Sequence, residues 1–138
     1  MKPLFVDTSG WCAIYHRGDV NHIPARACWE EISQKVGLIY TTDYVLDETL
    51  TLLRVRVGHK PAVEFGQVVL ASKVVKTVSI TRELWQKAWE MFKRYDDKEF
   101  SFTDCTSFVV MKEMQLTTAL AFDHHFVQMG FVTLPGTE

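Results

Sequence analysis

The sequence contains little cysteine, and this excludes two classes of small protein. Cys12, Cys28 and Cys105 are the three cysteines among 138 residues, and they show no Cys-x-x-Cys spacing. Such a pattern predicts neither a disulfide framework nor a structural zinc site. Because reduced thiols suit a reducing compartment, we expect a cytoplasmic protein.

Long apolar runs and flexible linkers are also missing. No stretch approaches the roughly 18 apolar residues of a membrane helix. The apolar run after Pro3 has three residues before Asp7, which is too short for the core of a signal peptide. No Gly/Ser-rich linker, repeat or low-complexity tract divides the chain. We therefore expect a single domain over residues 1–138, with no association with a membrane.

An excess of basic charge is absent as well. Lys and Arg number 15, Asp and Glu number 17, and the formal net charge is −2. A general basic coat for nucleic acid is thus excluded. A local basic patch can still bind phosphates while carboxylates that bind a metal keep the total negative. The composition, 47% hydrophobic and 23% charged, is typical of a folded soluble domain.

Strand and helix patterns alternate along the chain. The predicted strands are Pro3–Val6, Gly37–Thr42, 73–80, 117–122 and 131–134, and the predicted helices are 9–15, 24–35, 42–58, 61–72, 81–95, 101–116 and 124–129. This alternation predicts a three-layer α/β/α sandwich around a mainly parallel sheet of about five strands. Ligands of such sheets bind beyond the carboxyl ends of the strands, where the strand order reverses.

Two of the predicted strands run directly into an aspartate. "LFVD" ends in Asp7 and "ALAFD" ends in Asp123. In a parallel sheet both carboxylates would lie at the same edge, where sites form. Either aspartate alone is better explained as the start of a turn or the cap of a helix, and only the presence of both favours a site.

A third carboxylate, Glu48, lies within the helix predicted after Thr42. On a helix that turns 100° per residue, four apolar side chains fall on one face and form the predicted core stripe, namely Leu46, Leu50, Leu53 and Val57. Glu48 falls beside Leu52 and Val55, at the margin of this stripe. A carboxylate there needs a partner, which is either a Lys or Arg side chain or a metal ion.

A fourth carboxylate, Asp104, lies in the first turn of a later helix, where the helix dipole alone favours an acid. Asp104 shares a face with Phe108 and Met111, so we expect it to point inward. Four carboxylates that converge at one edge repel each other unless a cation lies between them. Hard oxygen ligands of this kind suit Mg²⁺ or Mn²⁺ rather than zinc.

These segments resemble four motifs of the PIN-domain family of metal-dependent ribonucleases, and most of all the toxins of VapBC toxin–antitoxin modules. The resemblance covers nearly the whole chain through "FVDTSGW", "TTDYVLDETLTLL", "SFTDCTSFVVMKE" and "LAFDHHF", in that order. It places the acids of the family at Asp7, Glu48, Asp104 and Asp123. The last motif here carries two histidines, His124 and His125, whose roles stay open.

The resemblance implies an endoribonuclease that hydrolyses RNA phosphodiester bonds with Mg²⁺, or with Mn²⁺ as a substitute. Asp7, Asp104 and Asp123 would be metal ligands, and Glu48 would be a ligand or would orient the attacking water. The hydroxyls of Thr8, Ser9 and Thr103 would hold the carboxylates in place. We expect a cognate antitoxin protein and a homodimer as partners.

Several other residues are candidates for contact with RNA or with a partner. The basic residues at the end of the third helix and just after it, Arg54, Arg56 and Lys60, could contact RNA phosphates. Trp11 could stack on a base, whereas Trp85 and Trp89, four residues apart, fit the core or a dimer interface better.

Other functions remain open at this stage. A housekeeping RNA-processing nuclease of the PIN type would carry the same motifs. A phosphatase of the haloacid dehalogenase type also begins with a strand-end Asp, but it needs a second acid where Ser9 stands. A non-enzymatic α/β binding domain of the receiver type needs an acidic pair near the amino terminus, which is absent.

Overall fold

A five-stranded sheet forms the centre of the computed structural model, which describes residues 2–35 and 38–136. The strands are β1 (Leu4–Val6), β2 (Ile39–Thr42), β3 (Val75–Val78), β4 (Thr118–Leu120) and β5 (Val132–Leu134). The helices are α1 (Thr8–Tyr15), α2 (His22–Lys35), α3 (Asp43–Arg56), α4 (His59–Ala71), α5 (Arg82–Arg94), α6 (Phe102–Glu113) and α7 (His125–Gln128). The predicted elements are therefore present, with ends that differ by a few residues. Gly37, the predicted start of the second strand, lies outside the described residues.

The strand order, β3-β2-β1-β4-β5, explains where a site forms. All four neighbouring pairs are parallel, which confirms the predicted α/β/α sandwich with a parallel sheet. Strands β2 and β3 are added in turn on one side of β1, and β4 and β5 are added on its other side. Right-handed crossovers therefore place α1 to α4 on one face and α5 to α7 on the other. The order reverses between β1 and β4, so the carboxyl ends of these two strands form the switch point.

Strand β1 is buried on both faces. Leu4, Phe5 and Val6 are each at most 2% exposed, as expected for a central parallel strand covered by helices on each side. Phe5 pairs with Ala119 of β4 and Val6 with Leu120. This register holds the residues that follow the two strands side by side.

Helix α1 packs closely against β4 because residue 10 is a glycine. A Cβ atom at Gly10 would collide with the backbone carbonyl of Leu120. Without that atom, α1 begins directly at the end of β1, and the main chain of Asp7 donates to the Leu120 carbonyl over 3.2 Å. The absent side chain at position 10 thus lets α1 lie directly against the end of β4.

Trp11 is part of the core, so the prediction that it stacks on a base is wrong. Its side chain is fully buried and lies edge-on against Trp29 and Phe65, with ring centroids at 5.2 and 5.5 Å. The indole Nε1–H donates to the hydroxyl of Thr41 over 3.1 Å. With its polar atom satisfied, the ring can bury about 200 Å², worth roughly 5 kcal/mol as an upper bound.

Helix α3 buries a different stripe from the predicted one. The buried residues are Val45, Leu46, Thr49 and Leu53, whereas Leu50 is 36% and Val57 is 41% exposed. Thr49 can lie in the core because its hydroxyl donates to the carbonyl of Val45 over 2.7 Å, which satisfies the polar group within the helix. This rotation places Glu48, next to Thr49, at the boundary between the core and the open side.

The aromatic stripe of α5 is only partly covered. Trp85 stacks on Trp89 with centroids 6.2 Å apart, and Trp89 is 38% exposed. The stripe therefore lies at the surface of the protomer. Across the described ranges, no helix has both the length and the apolar composition that a lipid bilayer would require.

Candidate active site

A cleft of about 260 Å³ opens at the switch point between β1 and β4. The four acids predicted from the sequence, Asp7, Glu48, Asp104 and Asp123, all line it. They come from four different elements or loops, separated by as much as 116 residues of chain. The remaining lining residues are Thr8, Ser9, Cys12, Asp19, Asn21, Leu52, Arg56 and Phe122.

Asp7 lies at the junction of β1 and α1. It caps α1, because its Oδ2 accepts from the main chain of Ser9 over 3.2 Å and from the Ser9 hydroxyl over 2.9 Å. The residue is only 2% exposed. The other oxygen, Oδ1, accepts no hydrogen bond from the described residues. One oxygen is thus held by the protein and the other is left for a ligand.

The hydroxyl of Ser9 joins the two strand ends. It donates to Asp7 and accepts from the main-chain N–H of Phe122 over 3.0 Å. Phe122 precedes Asp123, so this side chain links Asp7 to the segment that carries Asp123. Ser9 therefore occupies the position expected for a positioning hydroxyl.

Thr8 lines the cleft with an unsatisfied hydroxyl. The residue is 5% exposed, and its Oγ1 has no hydrogen-bond partner among the described residues. Buried polar atoms in folded proteins almost always have a partner. The Thr8 hydroxyl is therefore available to a bound ligand rather than to a carboxylate of the protein.

Asp104 has one oxygen held in place at the start of α6. Ser101 and Asp104 form a capping box, in which the Ser101 hydroxyl accepts from the Asp104 main chain over 2.9 Å. In return Asp104 Oδ2 accepts from the Ser101 main chain over 3.0 Å. The same oxygen lies 2.8 Å from Nδ1 of His125. No described residue donates to the other oxygen.

Thr103 does not hold a carboxylate in this arrangement. Its hydroxyl makes no hydrogen bond with the described residues, and Ser101 and His125 supply the contacts to Asp104. Two hydroxyl residues, Ser101 and Thr103, precede Asp104, and the one that contacts it is Ser101, at the cap position of α6. The prediction for Thr103 as a positioning hydroxyl is corrected accordingly.

Asp123 follows β4 and lines the same cleft. Its Oδ1 accepts from the main chain of His125 over 3.1 Å, and its Oδ2 receives no hydrogen bond from any described residue. Asp104, Asp123 and His125 each place one potential ligand atom within 4.8 Å of the others. The carboxylates of Asp104 and Asp123 are therefore close enough to share one cation.

Glu48 is half-buried on the cleft side of α3. In the described ranges its carboxylate makes no ion pair with a lysine or arginine.

Burial and mutual repulsion make the cleft electrostatically strained. Burial is the main cause that raises the pKa of the Asp7 carboxyl well above its ordinary value, and the nearby Asp123 and Asp104 raise it further. Burial also raises the pKa of Asp104, with a smaller contribution from Asp123. Such shifts mark carboxylates whose charged form lacks a compensating cation.

The donor set fits a hard divalent cation. The three aspartates each keep one oxygen without a hydrogen bond, and carboxylate oxygens are the ligands that Mg²⁺ and Mn²⁺ prefer. Burial raises the pKa of the nearby Cys12 thiol to about 11, so this sulfur stays protonated and is a poor ligand for a soft metal.

Basic and polar residues also reach the cleft. Arg56 lines it, whereas Arg54 and Lys60 do not. Asp19 and Asn21 of the α1–α2 loop line it as well, and Asp19 Oδ1 accepts from the Asn21 main chain over 2.8 Å. This loop was not predicted to reach the site, because nothing in its local pattern separates it from an ordinary turn.

The all-parallel sheet and the acids at its switch point place the protein among α/β domains with a carboxylate-lined cleft at the edge of the sheet. The family model of the PIN domain matches residues 4–132. The chain therefore belongs to the PIN-domain family, which confirms the resemblance drawn from the four motifs.

Relatives of known activity agree with this assignment. The chain is 42% identical over 129 residues to the 23S rRNA-specific endonuclease VapC20 of Mycobacterium tuberculosis, covering 94% of this chain and 95% of that protein. It is 34% identical over 123 residues to the VapC ribonuclease of Archaeoglobus fulgidus, covering 88% of this chain and 77% of the relative.

Solved structures extend the comparison. The crystal structure of Mycobacterium tuberculosis VapC20, described as a Sarcin-Ricin loop cleaving toxin, matches with a TM-score of 0.86 and 41% identity. The match covers 94% of this chain and 96% of that one. VapBC2 from Rickettsia felis, bound to a DNA fragment from its promoter, has a TM-score of 0.71 at 8% identity, covering 96% and 97%, and this likeness concerns the fold alone.

Proposed function

We propose that this protein is a divalent-metal-dependent endoribonuclease and the toxin of a toxin–antitoxin pair. The observation that carries the proposal is the convergence of Asp7, Glu48, Asp104 and Asp123 on one cleft of a PIN domain. Membership of this family sets aside the haloacid dehalogenase and receiver-type alternatives. A housekeeping PIN nuclease differs in its cellular role and not in its chemistry.

Mg²⁺, with Mn²⁺ as a substitute, is the cation we propose for the cleft. Asp7, Asp104 and Asp123 would hold it through the oxygen that the protein leaves unbound on each side chain. Such a cation, when bound, supplies charge neutralisation at the phosphate and a water of lowered pKa.

The residues of the chain itself have distinct tasks in this proposal. Ser9 keeps Asp7 and the segment before Asp123 at a constant distance. Glu48 accepts a hydrogen bond from the attacking water or adds a ligand. Arg56 binds an RNA phosphate at the mouth of the cleft, where its positive charge faces a largely acidic wall.

The substrate class and partners follow the relatives. RNA is the substrate, and the 23S rRNA named for VapC20 is the first target to test. We propose a cognate antitoxin as the protein partner, a homodimer as the working form, a cytoplasmic location and a single nuclease domain over residues 1–138.

Cleavage of RNA by the purified protein tests the activity. Wild-type protein with Mg²⁺ is expected to cut 23S rRNA into discrete fragments, and EDTA or Asp104→Asn is expected to abolish the cuts. Asp47→Asn is the matched control, because Asp47 is exposed on the same helix as Glu48 and lies outside the cleft. Cutting that survives EDTA or Asp104→Asn would overturn the metal mechanism.

Expression in cells tests the toxin role separately. Wild-type protein is expected to arrest growth, Asp104→Asn is expected to be harmless, and the product of a neighbouring gene is expected to restore growth. An active nuclease that leaves growth unchanged would favour the housekeeping role.

A further inference from the structure

We infer that His125 is a positioning residue that sets the distance between the carboxylates of Asp104 and Asp123. The inference rests on the proposed function and assigns a role to one of the two histidines that follow the last motif. His125 has no role in the predictions drawn from the sequence.

His125 contacts the carboxylates of Asp104 and Asp123 through its ring and its main chain, and its ring Nδ1 also lies 3.8 Å from Asp123 Oδ1. Its ring Nδ1 lies 2.8 Å from Asp104 Oδ2, and its main-chain N–H donates to Asp123 Oδ1 over 3.1 Å. A single residue thus joins the first turn of α6 to the loop after β4, two segments that are 21 residues apart at the Asp104–His125 contact. Neither contact uses the oxygen that each aspartate keeps free.

The direction of the ring contact follows from the other bond to the same oxygen. Asp104 Oδ2 already accepts from the Ser101 main chain, so it acts as an acceptor and Nδ1 carries the hydrogen. Both the neutral ring protonated at Nδ1 and the imidazolium ion satisfy this requirement.

The ring itself is held in place by its neighbours. The side chain is 17% exposed, and its ring lies edge-on to Phe100 with centroids 5.5 Å apart and an interplanar angle of 77°. The ring is fixed by packing, and one of its nitrogens is hydrogen-bonded to Asp104. A hydrogen bond of this kind restricts the orientation of a carboxylate that binds a metal.

The adjacent His124 provides an internal control. It is exposed and does not line the acidic cleft. Its ring packs against that of His125, with centroids 4.7 Å apart, but within the described residues it makes no hydrogen bond or ion pair with Asp104. Replacement of each histidine in turn separates the effect of the Asp104 contact from the effect of removing an imidazole nearby.

The test measures the affinity of the full-length protein for Mn²⁺ alone by electron paramagnetic resonance. His125→Ala is expected to weaken binding about 10- to 100-fold, and His124→Ala is expected to leave it unchanged. His125→Asn places an amide N–H near the position of Nδ1 and is expected to stay within about threefold of wild type. The Gln side chain is one methylene longer, so His125→Gln places its amide beyond the Nδ1 position and is expected to bind Mn²⁺ as weakly as His125→Ala does.

Each other outcome has a defined meaning. Equal Mn²⁺ affinity for wild type and both His125→Ala and His125→Gln would overturn the positioning role. A nitrogen coupling to bound Mn²⁺ from a directly coordinated imidazole would overturn it too, since His125 would then be a ligand. If His125→Ala does not fold, the comparison of His125→Asn with His125→Gln decides the question.

Failure of this inference is distinguishable from failure of the proposed function. A wild-type protein that binds Mn²⁺ and cuts RNA, with variants that bind equally well, refutes only the role of His125. A wild-type protein that neither binds Mn²⁺ nor cuts RNA refutes the nuclease proposal itself.

Discussion

Replacement of Asp7 by Asn removes one negative charge from the most buried of the four predicted acids. The amide has nearly the same shape, and its Oδ1 can still accept from the main chain and hydroxyl of Ser9. Asn is as good a helix cap as Asp, so α1 keeps its start. The substitution therefore isolates the electrostatic cost of the carboxylate.

The sign of the effect follows from the direction in which the pKa of Asp7 moves on folding. Burial and the neighbouring Asp123 and Asp104 raise the folded-state pKa of Asp7 above its unfolded value. The associated stability is fully present below the unfolded pKa and is lost as the pH rises through the folded pKa. As the pH rises through the folded-state pKa, ionisation of Asp7 therefore lowers the free energy of unfolding of the metal-free wild type. Each tenfold increase in proton affinity on folding corresponds to about 1.4 kcal/mol.

We expect Asp7→Asn to stabilise the metal-free protein by about 1–2 kcal/mol at pH 7.5. For a chain of this size this corresponds to a rise in Tm of about 3–8 °C. RNA cleavage should be lost at the same time. Thermal unfolding in EDTA at pH 7.5 and at pH 4 measures the effect, and the gain should shrink at pH 4 because Asp7 is then protonated in the wild type.

Two further observations sharpen this test. Excess Mg²⁺ should raise the Tm of the wild type and raise that of Asp7→Asn much less, because only the wild type keeps the full set of ligands. Asp47→Asn should stay within about 0.5 kcal/mol of wild type at every pH. A variant that melts below wild type in EDTA at both pH values would refute the argument that repulsion strains the cleft.

Three other changes have expected outcomes. Glu48→Gln should reduce kcat by at least about 100-fold with little loss of stability, measured by steady-state cleavage and thermal unfolding; unchanged kcat would remove Glu48 from the mechanism. Arg56→Gln should raise KM for RNA and reduce its salt dependence, whereas Arg54→Gln, outside the cleft, should not; equal effects would mean that only overall charge matters. Gly10→Ala should destabilise the protein by about 2 kcal/mol or more, because its Cβ meets a backbone carbonyl of β4. Gly66→Ala, which meets only the flexible Leu50 side chain at 3.3 Å, should be neutral or stabilising by up to about 1 kcal/mol in urea unfolding.

Local patterns predicted most of the elements because their causes are local. The apolar run before Asp7 predicts a buried strand, and the hydroxyl residues Ser101 and Thr103 predict the start of α6, which the structure caps with Ser101. The prediction of the buried stripe of α3 was wrong, and the reason is also local. Thr49 counts as polar in a sequence pattern, but its hydroxyl bonds within the helix and lets the side chain enter the core.

Side chains that face the site were harder to predict. A tryptophan beside a motif fits either a base platform or the core, and the position of Phe65 and Trp29 around Trp11 decides between them. Arg54 and Arg56 have the same charge on the same helix, and only the rotation of α3 against its neighbours brings Arg56 to the cleft. These choices depend on which elements pack together.

By itself the sequence determined the α/β class, the alternation of elements and the identity of the four acids. The hydrophobic period, the helix caps and the carboxylates at strand ends each depend only on residues that are close together in the chain. Only the tertiary structure decided that these acids share one cleft, that Ser101 rather than Thr103 holds Asp104, and that His125 joins Asp104 to Asp123. The physical reason is that a contact between distant segments depends on the strand order and on the packing of helices around it. Neither is encoded in the few residues on either side of the contact.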